Sequence, residues 1–147
     1  MVDTEILSFI RKFEAAWASR DGAAFLALWH PNGVLHYPLV DRPISGAELG
    51  LLNDVQKASA PDLLWQLMDW TARSDIVMLE WRTTRVFGGK RFEWRGVDKL
   101  RLKEGKIIEE WVYMDTALLR SLRAGGNLEL LIDAAEKGIA FDPLFSL

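Results

Sequence analysis

The chain contains no cysteine in its 147 residues, which removes disulfides, thiolate nucleophiles and cysteine-ligated metal together and is compatible with the cytoplasm. Histidine is almost as scarce. The two present, His30 and His36, lie close together without an acidic residue at ligand spacing, so no metal site is expected. An excess of one charge is also missing: 18 basic and 21 acidic residues are interleaved and leave a formal net charge of −3. Nucleic acid and anionic membranes reward a clustered basic face, so neither is an expected partner. Long hydrophobic runs are absent too. The N-terminal stretch MVDTEILSFIRKFEAAW is amphipathic and broken by charges, and reads as neither signal peptide nor spanning helix.

Apolar residues make up 50% of the chain and seven residues are tryptophan, enough for one domain with a sizeable core. We expect a single domain over 1–147, with a core at about 3–123 and a C-terminal helical extension at about 124–147. Residues 3–20 carry Ile6, Phe9, Ile10, Phe13 and Trp17 on one helical stripe. Asp21 is placed to cap a short second helix through Phe25, Leu28 and Trp29, ended by His30-Pro31-Asn32-Gly33. A short strand over 33–39 follows. Ser45 with Glu48 has capping-box spacing and opens a third helix running to about Ala58. The period then becomes extended, predicting strands over 62–72, 75–87, 91–103 and 106–114, with Gly88-Gly89 as a hairpin turn. Two further helices, around 117–122 and 127–137, and the tail FDPLFSL complete the reading. Helices followed by long antiparallel strands give an α+β class.

The last hairpin concentrates the chemistry. Its turn is Lys103-Glu104-Gly105, and a two-residue loop would force Glu104 to positive φ, so a three-residue loop is expected with Gly105 alone left-handed. That register sets Leu102 opposite Lys106, Leu100 opposite Ile108, Asp98 opposite Glu110 and Gly96 opposite Val112. The alternative sets Asp98 opposite Trp111. Two carboxylates on an apolar face cannot both ionise cheaply, so one stays protonated near neutral pH, beside an ionised neighbour. Such a pair suits binding and enolising a carbonyl compound. The structural alternative is an ordinary buried network in which one acid pairs with Arg82, Arg85 or His36.

The runs FEAAWASRDGAAFLALWHPNGVLHYPLVDRPISG and RGVDKLRLKEGKIIEEWVYMD resemble the superfamily of cone-shaped domains that includes nuclear transport factor two, ketosteroid isomerase, scytalone dehydratase, limonene epoxide hydrolase and the SnoaL-like polyketide cyclases. The resemblance covers roughly residues 9–115. It implies a curved, mostly antiparallel sheet wrapped around the N-terminal helices, a cystatin-like cone with an internal apolar pocket. Carried over by position, the isomerase's general-base aspartate falls on Tyr37, its oxyanion-hole tyrosine on Phe13 and its oxyanion-hole aspartic acid on Asp98. The catalytic acid of the cyclases' closing strand falls on Val112, with Glu110 two residues before it. Isomerisation of the steroid type is therefore not expected, and Glu110 stands as an acid able to take the role from one step deeper.

The candidate catalytic residues are accordingly Asp98, Glu110, Tyr37 and His36. Tyr37 and His36 point to opposite strand faces, so at most one lines a pocket. Pocket walls of Phe13, Trp17, Phe92, Trp94, Val112 and Met114 would suit a flat hydrophobic ligand. The opposite face of the hairpin carries Val97, Trp111 and Tyr113 among charges and is expected to pair with a second copy, as the resemblance also implies. Two functions follow: a cofactor-free SnoaL-like cyclase, isomerase or dehydratase acting on a hydrophobic carbonyl compound, or a non-catalytic ligand-binding or dimerisation domain of the same shape.

Overall fold

The computed structural model describes residues 3–87 and 89–117, and the helices and tail expected beyond them lie outside the described residues. Three helices, α1 (Asp3–Ser19), α2 (Gly22–Leu26) and α3 (Glu48–Ser59), pack against one six-stranded sheet. Its strands are β1 (Trp29–His36), β2 (Ile44–Ser45), β3 (Leu64–Arg73), β4 (Ile76–Phe87), β5 (Lys90–Lys103) and β6 (Lys106–Met114). The spatial order is β2-β1-β6-β5-β4-β3. Only β1 and β6 run parallel; every other pairing is antiparallel. This is the α+β arrangement expected. Among the described residues no helix is long and apolar enough to cross a membrane.

Helix α1 forms because apolar residues recur at three- and four-residue spacing, and that stripe is what it buries: Ile6, Phe9, Ile10, Phe13 and Ala16 are all within the core. The inward residues of the sheet meet it, with Val77, Leu79, Leu100 and Ile107 fully inaccessible. Helix α2 is shorter than expected. Asp21 caps it by accepting from Ala23 N at 3.1 Å, but the helix ends at Leu26, and Trp29 already belongs to β1. The chain between His30 and Gly33 bulges within β1, where Asn32 N donates to His30 Nδ1 at 3.1 Å. Helices α2 and α3 cross at glycines: a Cβ on Gly50 would stand 2.9 Å from the Gly22 carbonyl oxygen. Asp54 accepts from Gly22 N at 2.9 Å and locks the crossing.

Two local expectations are corrected. Ser45 is in β2 and gives α3 no capping box; Ala47 occupies the cap position without a side-chain bond, and Arg42 takes Glu48 through two contacts of 2.8 Å. A carboxylate already held by a guanidinium fork does not reach back to a backbone N–H. The hairpin turn also differs. Lys103 pairs with Lys106 across a two-residue loop, with Glu104 at φ 54° and Gly105 at φ 71°. Two consecutive left-handed residues match the right-handed twist of the flanking strands, and that match outweighs the cost at Glu104.

The pairing then slips once, between Leu102 opposite Ile107 and Arg101 opposite Glu109, so that Ile108 is the extra residue of a β-bulge. Beyond it Leu100 faces Glu110, Asp98 faces Val112 and Gly96 faces Met114. The alternative register therefore holds only between the turn and the bulge, and neither register describes the acids. The two acids are diagonal neighbours on the same inner face rather than direct partners.

Candidate active site

Helix α3 and the inward faces of β1, β4, β5 and β6 enclose a pocket with about 580 Å³ of atom-free space, open mouth included. Its interior is narrow, a cavity of about 60 Å³. The walls are aromatic and aliphatic, led by Trp17, Phe25, Trp65, Trp94, Leu35 and Val112. Trp17 and Trp65 stack at 5.6 Å with planes 12° apart, making one flat wall.

Asp98 and Glu110 lie in this pocket, each only 3% exposed. Trp81 Nε1 donates to Asp98 Oδ1 at 2.8 Å. The two carboxyls share a hydrogen bond, while Glu110 Oε2 has no partner among the described residues. Burial pushes Asp98 up to about 7, and its bonds to Trp81 and Glu110 hold it from going further. Glu110 is driven well above the ordinary carboxylate range, first by burial and then by the charge of Asp98 and the bond between them. Both carboxyls are thus pushed toward their neutral forms, and the pair retains a proton near neutral pH. Among the described residues neither acid is neutralised by a cation: Arg82 is bonded to Gln66, Arg85 lies 3.6 Å from Asp62, and His36 lies 3.6 Å from Glu109.

Gly96 makes the Trp81 contact possible. A Cβ there would stand 2.3 Å from Trp81 Cζ2, so the indole can cross β5 toward Asp98 only over a bare backbone. The paired position of Trp81 and Gly96 was readable from the Gly-Gly hairpin, although the bond to Asp98 was not.

Of the residues singled out in the sequence, Asp98, Glu110, Tyr37, Trp17, Trp94, Val112 and Met114 come together around this pocket. Tyr37 accepts a bond from Gln56 Nε2 at 3.2 Å. His36 does not join them; it lies on the outer face, its ring stacked on Trp111 at 3.6 Å. Phe13 is also outside the lining, being fully inaccessible one layer behind, against Phe25 and Trp65. Phe92 faces the same side as Trp94 but pairs with Arg85 beyond the pocket's end. Sequence reasoning missed Asn53, Gln56, Trp65 and Trp81 as lining residues. Asn53 and Gln56 are polar positions on the inner side of α3, and only the packed position of that helix discloses them.

The family profile of the SnoaL-like domain matches residues 10–110. No curated protein matches the chain. Among solved structures it is similar to the candidate hydroxylase AclR from Streptomyces galilaeus, at 25% identity and TM-score 0.69, over 86% of this chain and 99% of that one. A candidate polyketide cyclase from Bacillus cereus matches at 22% identity and TM-score 0.71, over 84% and 82% of the two chains. A nuclear-transport-factor-two-like protein of unknown function from Burkholderia pseudomallei matches at 13% identity and TM-score 0.70, over 80% and 96%.

Proposed function

The chain belongs to the SnoaL-like family, and from that footing we propose that it is a small-molecule enzyme using Asp98 and Glu110 for acid–base chemistry on a hydrophobic carbonyl compound. One observation carries the reading: two hydrogen-bonded carboxyls buried in a largely apolar pocket, with no cation on them and one oxygen unclaimed among the described residues. Such groups are costly to maintain unless they serve a ligand. The neighbour named as a cyclase supports the carbonyl class.

In this mechanism ionised Asp98 removes a proton from the carbon beside the substrate carbonyl. The C–H electron pair becomes the C=C bond of an enol, and the carbonyl oxygen takes the proton of Glu110. Asp98 then holds the abstracted proton and Glu110 is ionised. Returning that proton to another carbon of a conjugated enol, as the enol O–H gives its proton back to Glu110 and the C=O re-forms, completes an isomerisation; attack of the enol carbon on a second carbonyl, whose oxygen takes the Asp98 proton while the enol O–H reprotonates Glu110, completes a ring closure. The apolar walls exclude water from both.

The test is a thermal-shift screen of cyclic ketones, polyketides and flat lactones, followed by turnover assays on the hits. Asp98→Asn and Glu110→Gln should each lower turnover by about 10²- to 10⁴-fold, the span of general acid–base catalysis, with the fold retained by circular dichroism. Unchanged ligand affinity in both variants, with turnover found for no stabilising compound, would instead support a binding domain. The narrow interior is the observation that favours this second reading.

We further propose that the outer sheet face pairs with a second copy. There Val97 faces Tyr113 and Lys99 faces Trp111, and Trp111 and Tyr113 are 40% and 53% exposed.

A further inference from the structure

Asn53 lies on α3 facing the pocket, is only 3% exposed, and its Oδ1 accepts no hydrogen bond among the described residues. A buried amide oxygen without a donor is uncommon in a folded protein and destabilises it. Its neighbour one turn along, Gln56, shows the ordinary arrangement, with its amide bonded to Tyr37. Donors are present in the same pocket. The ring N–H groups of Trp17 and Trp65 also lack partners among the described residues, yet neither reaches Asn53. The residues that carry this acceptor and these two donors therefore line one cavity without meeting, on walls that are mostly aromatic and aliphatic.

We infer that Asn53 is a specificity-determining residue whose Oδ1 accepts a hydrogen bond from a hydroxyl on the ligand, so that the ligand class is a hydroxylated cyclic ketone. This rests on the carbonyl reading above and adds a second polar anchor, separate from the acids. A hydroxyl both donates and accepts, so it meets the Asn53 oxygen while its own lone pairs remain available to an indole N–H. A ligand lacking it would leave the amide oxygen buried and unpaired, which is how a site built for a hydroxyl rejects an analogue without one.

The experiment measures binding by calorimetry for matched tetralones, each ring-hydroxylated isomer beside the isomer carrying fluorine at the same carbon. Fluorine keeps the size and removes the donor. Wild type should prefer at least one hydroxylated isomer by about tenfold or more, the value of one hydrogen bond to an otherwise unpaired buried group. Asn53→Leu should reduce that preference to within about twofold, by weakening the hydroxylated ligand and relieving the unpaired oxygen that disfavours the fluorinated one. If Asn53→Leu does not fold, Asn53→Ala carries the same expectation. Equal affinities across every pair in wild type, or a preference that survives loss of the amide, overturns the inference, as does failure of both series to bind. Glu110→Gln provides the separate reading: if it leaves ketone affinity untouched while the Asn53-dependent preference persists, the carbonyl anchor fails and the hydroxyl anchor stands.

Discussion

Trp81 donates its indole N–H to Asp98 at 2.8 Å from the neighbouring strand, a fixed dipole that acts on this carboxyl beside the hydrogen bond it shares with Glu110. An N–H directed at a carboxylate favours the charged form, so the bond opposes the burial that raises Asp98. Removing it shifts the balance back toward burial. Trp81→Phe is expected to move the acidic limb of the pH–rate profile upward by about one unit, with a lower maximal rate. A limb that stays in place would show that Asp98 is not the group ionising.

The pH profile itself should be bell-shaped. Activity rises as Asp98 ionises through about 7 and falls at higher pH as Glu110 loses its proton. Stability runs the other way. Folded Asp98 keeps a proton that the unfolded chain releases near pH ~4, so protonation favours folding, fully below that value and progressively less as pH rises toward about 7. The loss across that window is on the order of 4 kcal/mol at 1.36 kcal/mol per unit. Urea denaturation of Asp98→Asn at intervals across it should be flatter by most of that amount.

Gly96→Ala tests the opening through which the indole passes. The new methyl would stand 2.3 Å from Trp81 Cζ2 and 2.8 Å from the Tyr113 carbonyl oxygen, and the second contact is backbone that cannot yield easily. A destabilisation of about 1–3 kcal/mol is expected, as for other overpacked sites. It should be accompanied by the same upward shift of the acidic limb as in Trp81→Phe.

Glu104 at φ 54° is strained for a residue with a side chain. Glu104→Gly or Glu104→Asn should raise stability by roughly 0.5–1 kcal/mol in thermal denaturation, with no change in turnover. A loss of stability would mean that the carboxylate contributes more than its backbone conformation costs.

For the outer face, light scattering is expected to give twice the chain mass at micromolar concentration, and Trp111→Lys with Tyr113→Lys to give the monomer. A monomeric wild type refutes the pairing.

Much of this was legible in the sequence because β3 to β6 are long, strongly alternating and bounded by turn residues; their observed limits differ from the expected ones by at most two residues. The stripe of α1 was equally plain. What could not be read were choices between nearly equal local energies. Glu104 accepting a left-handed conformation, Ile108 bulging, and Glu48 turning to Arg42 instead of capping α3 each depend on strand twist or on a contact that local propensity does not specify. Asp98 and Glu110 were identified correctly as neighbours on one face, but by a register that does not occur. Asn53 and Trp81 needed the packed helix and the crossing strand before their chemistry could be seen.

The extra residue at Ile108 decides which of two adjacent glutamates looks inward. Without it the pairing next to the turn would continue unbroken, placing Glu109 opposite Leu100 and Trp111 opposite Asp98. An acid would therefore still face the pocket after a one-residue slip of this strand, with an indole in place of Val112 beside it. The Glu109-Glu110 doublet makes the acidic function redundant against register, while the wall around it is not. A one-residue shift of register at this point would thus change what the cavity accepts and leave an acid in place, whereas loss of the bulged residue itself would preserve both.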